Sequence, residues 1–470
     1  MNHQPTELKK DLKIRHITMI SLGGIIGAGL FVGSGSLINV AGPASIFSYV
    51  FAGLLVVLVM RMLGEMSIVN PTSGSFATYA REALGPWAGY TIGWLYWFFW
   101  VIVIAVEAIG GANIIQYWFP SLPSWSVSLA LTFLLTLTNL YSVKSYGEFE
   151  YWFSLIKVVS IVLFLILGGA IIFGLIPGVH SPGTTNLLHR GGFMPNGVSS
   201  IFLGIAVVMF SFMGSEIVAI AAGETAHPEK AITVATNSVI YRIIIFYLGS
   251  ILVLVTILPW DSHTLLKNPF VSVLNVLNIP AAAQIMNFIV LTAVLSCLNS
   301  GLYTSSRMLF SMAQSGDAPR LFLKVSKKGV PLYAILGCTV ISYISVGFNY
   351  LSPDKIFLFL VNASGGVALL VYLVIAFSQL RLRRKYEKEK PEALKIKMWL
   401  FPYLTYATIL VIITLFIMMA FIDSMRSQFF LTLLIAVFVV GSFFVIRNKR
   451  STNLLQEKKK EINLQYNERA

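Results

Sequence analysis

The chain has 470 residues, of which 56% are hydrophobic and only 11% charged, with a formal net charge of +14. A soluble globule carries about a quarter of its residues as charges, so this composition excludes one and leaves a polytopic membrane protein in a lipid bilayer. In a soluble protein the positive excess would suggest nucleic acid; here its placement along the chain is an orientation signal, and no nucleic-acid partner is expected.

Apolar windows of about 20 residues predict twelve membrane spans. In chain order they cover residues 17–42, 44–63, 87–117, 125–142, 153–177, 197–222, 238–259, 281–306, 332–350, 356–378, 399–422 and 427–446. The first run is too long for a signal peptide and lacks a small-residue cleavage site, so it is expected to stay in the mature protein. With the N-terminus inside, outward loops hold only Arg190, Lys267, Lys355 and Arg426. The inward segments carry Lys9, Lys10, Lys13 and Arg15, then Arg320, Lys324, Lys327 and Lys328, and a dense run from Arg381 to Lys397. This bias predicts a cell-membrane protein with both termini in the cytoplasm.

Two of these spans are interrupted. The first contains Gly23-Gly24-Ile25-Ile26-Gly27-Ala28-Gly29, and the sixth contains Ser211-Phe212-Met213-Gly214-Ser215-Glu216. Glycine lets a chain leave helical geometry, and the freed amides and carbonyls must then be met by protein, water or a ligand. A pair of broken spans in corresponding halves points to the binding site of a secondary transporter. The Gly-x-x-x-Gly spacings of Gly23 with Gly27 and of Gly29 with Gly33 also suit close helix packing.

An ionisable side chain at mid-bilayer costs about 2.5 to 3.5 kcal/mol on insertion scales, so each one in a span needs a reason. Glu107 lies deep in the third span, Lys157 in the fifth and Glu216 in the break of the sixth. Lys157 is either a proton carrier or fixed positive charge, or the cation of a static ion pair with a glutamate. Glu216 can take a proton or hold the helix ends together, and Glu107 is either a binding-site acid or a buried hydrogen-bonded group. Glu224, two turns beyond Glu216 and ahead of His227-Pro228, is a candidate inner-gate residue. Arg61, Glu65, Glu82, Glu148, Glu150, Glu224, Arg242 and Arg307 fall nearer the expected cytoplasmic ends, where snorkelling or a surface pair is the expectation. Cys297, Asn299 and Ser300 belong to a polar series on the eighth span that is either a pathway face or glue between helices. Trp94, Trp97 and Trp100 share one helix face, which predicts packing.

Neither Cys297 with Cys338 nor the six scattered histidines, His180 and His189 among them, has metal-ligand spacing, and no metal or cofactor is expected. No phosphate-binding Gly-x-x-x-x-Gly-Lys loop occurs, so an ion gradient is the expected energy source. No nucleophile with a nearby base appears in the spans, which disfavours an enzyme. The short tails disfavour a nutrient sensor with a folded signalling extension. A channel differs from a transporter in lacking saturable, stereoselective uptake.

The run Arg15-His16-Ile17-Thr18-Met19-Ile20-Ser21-Leu22 through Gly29-Leu30-Phe31 resembles the opening of the amino acid/polyamine/organocation superfamily, amino acid transporter branch. Arg61-Met62-Leu63-Gly64-Glu65, Pro71-Thr72-Ser73-Gly74-Ser75-Phe76, Gly147-Glu148-Phe149-Glu150 with Lys157, and Ala222-Gly223-Glu224-Thr225 carry the same resemblance over nearly all of residues 8–450. Through Trp94 to Ala105, Gln284 to Phe288 and Ser296 to Tyr303 the chain is most similar to the bacterial gamma-aminobutyrate permeases of that branch. Permeases and exchangers for proline, aromatic or basic amino acids share the same frame.

The resemblance implies an all-α fold of twelve helices with a 5+5 inverted repeat, helices 1 and 6 broken, and two further helices at the C-terminal end. The implied units are a cytoplasmic tail 1–16, repeats at 17–178 and 197–378, the last two helices at 399–447 and a tail 448–470. It also implies symport of a small amino acid with protons by alternating access. The substrate carboxylate would rest on backbone amides within Gly24, Ile25, Ile26, Gly27, Ala28 and Gly29, and the amine on carbonyls of Phe210, Ser211 and Met213 near Gly214, with the Phe210 ring closing over it. Lys157 would stand where sodium-coupled relatives hold a cation, and Glu216 and Glu224 would serve coupling and gating. A gamma-amino acid separates its charged ends further than an alpha-amino acid does, so its amine is expected to reach toward Glu107 or Glu216.

Overall fold

A segment crossing hydrocarbon must satisfy its amides and carbonyls internally, which makes helices the expected outcome. The computed structural model describes residues 8, 10–23, 26–31, 33–263, 265, 269–277, 279, 281–351, 364 and 366–467. Among these the regular structure is all helical, with isolated bridges from Leu12 to Thr225 and from Val325 to Pro331 and no strand. The helices are α1 (Ile14–Gly23), α2 (Ala28–Phe31), α3 (Gly33–Ala41), α4 (Ser45–Val69), α5 (Ser75–Leu84), α6 (Pro86–Ile115), α7 (Ser124–Tyr141), α8 (Val143–Ile172), α9 (Thr185–Leu188), α10 (Ser199–Ser211), α11 (Ile217–Ala221) and α12 (Pro228–Arg242). A π-helical stretch, Ile243–Leu248, joins α12 to α13 (Gly249–Ile257). They are followed by α14 (Pro269–Val276), α15 (Ala282–Gln314), α16 (Leu332–Leu351), α17 (Val367–Glu389), α18 (Tyr403–Phe421) and α19 (Asp423–Asn467).

By length and composition, seven helical stretches among the described residues can each cross a membrane, beginning with Gly33–Val69 and ending with Asp423–Arg447. Their outward faces present Phe51, Leu54, Leu163, Ile166, Leu410, Leu434 and Phe438, the apolar surface expected against lipid. The first and sixth expected spans are discontinuous: α1 stops at Gly23 and the helix resumes at Ala28, while α10 stops at Ser211 and α11 starts at Ile217. Gly24, Ile25, Lys9, Lys267, Lys355 and the beginning of the tenth expected span lie outside the described residues.

Several helices outrun the apolar windows. Ser142 caps α8, its Oγ accepting the amide of Ser145 at 2.9 Å, so that helix begins at Val143 rather than 153. Pro228 occupies the first turn of α12, ten residues before the expected start at 238. α15 continues to Gln314 and α17 to Glu389. An apolar window closes at the first charge, whereas a helix continues wherever that charge is paired.

The Glu65 cluster illustrates such pairing. Its buried carboxylate accepts from Arg383 Nη1 at 2.9 Å, Gln379 Nε2 at 3.1 Å and the Met398 amide at 2.6 Å, tying α4 to α17 and to the loop before α18. At the centre of the molecule α6 and α15 pack along their lengths, with α1 lying across α8 and α12.

Candidate substrate and coupling site

The two breaks meet. A Cβ built on Gly29 would lie 2.7 Å from Ser211 Oγ and 3.1 Å from Ser211 Cα, so the start of α2 and the end of α10 touch backbone to backbone. Ile26 is buried beside this contact, and the amides of Ile26, Gly27 and Ala28 lead into the first turn of α2, where a helix has no carbonyls of its own to offer them. On the other strand of the break Gly214 takes φ +110°, a conformation that favours glycine. The Glu216 carboxylate folds back onto the Gly214 amide at 3.1 and 3.2 Å and accepts the Tyr96 hydroxyl at 2.8 Å. These bonds pin the break at Gly214 to the start of α11 and to Tyr96 on α6. The exposed carbonyls are shared as well: Ser211 accepts from Tyr247 at 2.9 Å and Phe212 from Ser215 Oγ at 2.7 Å. The Phe210 side chain lies outside the described residues, and Met213 is buried.

Gly29→Ala is expected to lower substrate uptake at least tenfold, because overpacking against backbone costs about 1 to 3 kcal/mol and nothing here can rotate away. Gly169→Ala, where an added Cβ meets nothing within 4 Å, is the control. Uptake at saturating substrate, normalised to the amount of protein inserted, measures the difference.

Behind the breaks lies a buried polar chain. Lys157 Nζ donates to Ser296 Oγ at 2.8 Å, and Ser296 Oγ donates to Glu150 Oε1 at 2.5 Å. Ser154 also donates to Glu150, and Asn139 Nδ2 donates to Asn299 Oδ1 at 2.8 Å. Among the described residues, the bonded link from Lys157 to Glu150 runs through a serine. Glu107, on α6, is buried in hydrogen-bond contact with the Cys297 thiol and within electrostatic reach of Lys157. Of the polar series on α15, Cys297 faces Glu107, whereas Asn299 and Ser300 bond to α7 and α8 as glue between helices. Cys297 and Cys338 are both free thiols.

A second charged cluster surrounds Glu224, the candidate inner-gate residue. Glu224 Oε1 accepts from Arg307 Nε at 2.8 Å and from the Tyr303 hydroxyl at 3.0 Å, and Arg307 Nη2 reaches Oε2 at 3.3 Å. The Arg307 guanidinium sits 4.1 Å over the Tyr303 ring, which stacks on Tyr146 with centroids 4.0 Å apart. The amide of Leu12 donates to the Glu224 carbonyl at 3.2 Å, joining the segment before α1 to this cluster.

The expectation of snorkelling or surface pairing fails for Glu65, Glu150, Glu224, Arg242 and Arg307, which are all buried within helical segments. The reason is the helix extension described above, which carries each charge inward. Arg242 donates to the Ala235 carbonyl at 2.7 Å, while its Nε and Nη1 find no acceptor. Arg61, Glu82 and Glu148 do keep partial exposure, and Glu148 pairs with Arg15 and His16. Trp94 and Trp97 pack edge to face, 5.2 Å apart, as expected of one aromatic face. Tyr96 and Tyr303 join the site with no sequence signal to mark them, and Glu150 joins it against the expectation of a surface position; the Ser142 cap is the signal that places Glu150 inside a helix. Among the described residues no cluster has the make-up of a metal site.

The family described as amino acid permease matches residues 16–459. The gamma-aminobutyric acid permease of Bacillus subtilis is 65% identical over 450 residues, covering 96% of both chains. The gamma-aminobutyric acid permease of Escherichia coli is 49% identical, covering 93% of this chain and 94% of its own. In fold the chain is similar to a manganese transporter of Eremococcus coleocola, with a TM-score of 0.59 at 15% identity over 93% of this chain and 94% of that one. The family match spans the stretch of chain that holds both breaks, Lys157 and the Glu224 cluster. The protein is thus a transporter and not an enzyme, and the chain belongs to the amino acid permease family.

Proposed function

We propose that this permease imports gamma-aminobutyrate and related small omega-amino acids together with protons, across a cell membrane in which both termini face the cytoplasm. The observation that carries the substrate is the 65% identity, over nearly the whole chain, to a permease named for gamma-aminobutyric acid. Coupling to protons is supported by the buried Lys157, joined through Ser296 to Glu150, a lysine being able to lose and regain a proton where a metal ion cannot. The architecture proposed with it is twelve spans in two inverted units of five with two helices added, for which the paired breaks at residues 23–29 and 211–216 argue. The substrate carboxylate rests on amides of the first break. The Ser211 carbonyl already serves Tyr247, so the amine of a longer omega-amino acid extends toward Glu107. Alternating access rocks the broken helices against α6, α8 and α15, exposing the site first to one side and then to the other.

The test is uptake of labelled gamma-aminobutyrate into proteoliposomes under an imposed inward proton gradient, with unlabelled beta-alanine, proline, lysine and phenylalanine as competitors. Accumulation that an uncoupler collapses and beta-alanine blocks best is the expected result. Saturable counterflow without accumulation would make the protein an exchanger instead. No uptake of gamma-aminobutyrate, with transport of one of the competitors, would overturn the substrate.

A further inference from the structure

Glu150 has no part in the reading above beyond being Lys157's distant partner. It is fully buried on α8, seven residues before Lys157, which is two turns or about 10 Å along the helix axis. Its carboxylate collects hydroxyls from Ser296 and Ser154 on Oε1 and the Asn299 amide at 3.5 Å on Oε2. Ser296 links the two charges, and its polarity is continuous: it receives from the ammonium and gives to the carboxylate. A static ion pair has no need of an intervening hydroxyl. A proton relay does.

We propose that Glu150 takes the coupling proton from Lys157 through Ser296 as the proton leaves the site. The Lys157 ammonium gives one proton to Ser296 Oγ while Ser296 passes its own hydroxyl proton to Glu150 Oε1. The products are a neutral amine, an intact hydroxyl and a protonated carboxyl. The net charge of the buried trio does not change, so the step adds no unpaired ion to the low-dielectric interior.

The direction follows from the fold. Glu150 lies between Lys157 and Val143, the first residue of α8, and Tyr146 stands one turn further on. The Tyr146 ring stacks on Tyr303, whose hydroxyl holds Glu224, so the acceptor carboxyl sits just behind the charged seal. In the proposed orientation that is the cytoplasmic side, and opening the seal releases the proton inward. Among the described residues the other titratable groups facing this stretch are Cys297 from α15, Glu107 from α6 beyond Lys157, Arg307 from α15 beyond Tyr146, and His16 and Arg15 beside Gly147 and Glu148. None of them stands between Lys157 and Glu150.

The inference rests on proton coupling, and its test separates the two. Purified protein in proteoliposomes is assayed for counterflow of labelled gamma-aminobutyrate and for its accumulation under an inward proton gradient. Exchange needs no net proton movement, so Glu150→Gln is expected to exchange at near wild-type rate and to accumulate at least about tenfold less, with the pH dependence of accumulation flattened. Ser296→Ala should show the same split, and Ser296→Thr, which keeps the hydroxyl, should recover accumulation. Wild-type accumulation by Glu150→Gln would overturn the relay and leave coupling intact. Should Glu150→Gln lose both readouts, Ser296→Ala decides: a parallel loss of exchange there makes the cluster structural and sinks the relay, while a selective loss of accumulation supports it. A wild-type protein that fails to accumulate at all would remove the coupling, and the relay with it.

Discussion

Replacing Lys157 with methionine is expected to reduce gradient-driven accumulation at least a hundredfold, about 2.7 kcal/mol in the rate-limiting step. Methionine fills nearly the same volume but neither donates to Ser296 nor carries charge. The change therefore leaves Ser296 and Glu150 in place while removing the group that both bonds to the relay and balances the carboxylate. Some of the loss will be stability, since a buried carboxylate stripped of its cation costs about 3 to 5 kcal/mol. Lys157→Arg separates the two effects. Arginine keeps the positive charge but holds its proton at every physiological pH. If Lys157 carries the proton, the arginine protein should be inserted and thermally stable near wild type, yet show exchange without accumulation. Accumulation by the arginine protein would show that a fixed charge suffices and that the proton travels elsewhere. Thermal unfolding monitored beside both transport readouts distinguishes a damaged protein from an uncoupled one.

The membrane class, the two breaks and the anomalous burial of Lys157, Glu216 and Glu224 are legible in the sequence because each violates a strong physical rule. A glycine cluster interrupts a span, and a charge sits where hydrocarbon is expected. What the sequence hides is the partner. Nothing in the local pattern links Glu224 to Arg307, 83 residues on, or Glu65 to Arg383, because the pairing is made by helices that approach only in three dimensions. The same blindness sets the helix ends wrong: hydropathy closes the fifth span's window at 153, whereas the Ser142 cap starts the helix at Val143 and carries Glu150 into the core. Charges dismissed as lying near the surface were therefore the ones most in need of a partner. Cap and proline signals, read together with hydropathy, recover α8 and α12, but no local signal finds Tyr96 or Tyr303, since tyrosine is unremarkable in a membrane helix until its hydroxyl meets a carboxylate.

Arg307→Met is expected to open the sealed end of the protein. Arg307 makes two bonds to Glu224 and covers the Tyr303 ring, so its loss leaves a fully buried carboxylate with one hydroxyl donor. Breaking such a pair from one side costs about 3 to 5 kcal/mol, all of it charged to the sealed arrangement if the opened one hydrates Glu224. A shift of about 3 kcal/mol changes the ratio of closed to open molecules more than a hundredfold. Hydrogen exchange should report this as loss of protection in residues 222–226 and at the Leu12 amide, which bonds to the Glu224 carbonyl. Transport should fall as well, because a site that stays open on one side cannot present itself to the other. Glu224→Leu combined with Arg307→Met removes both charges and leaves apolar groups that can pack, an exchange that is often neutral for buried pairs. The double variant should therefore regain most of the protection that the single one loses. Unchanged exchange in Arg307→Met would mean that the stacked Tyr146 and Tyr303 rings close this end without the ion pair. An equal loss of protection in single and double variants would mean that the pair sets the geometry of the helix ends and cannot be replaced by packing.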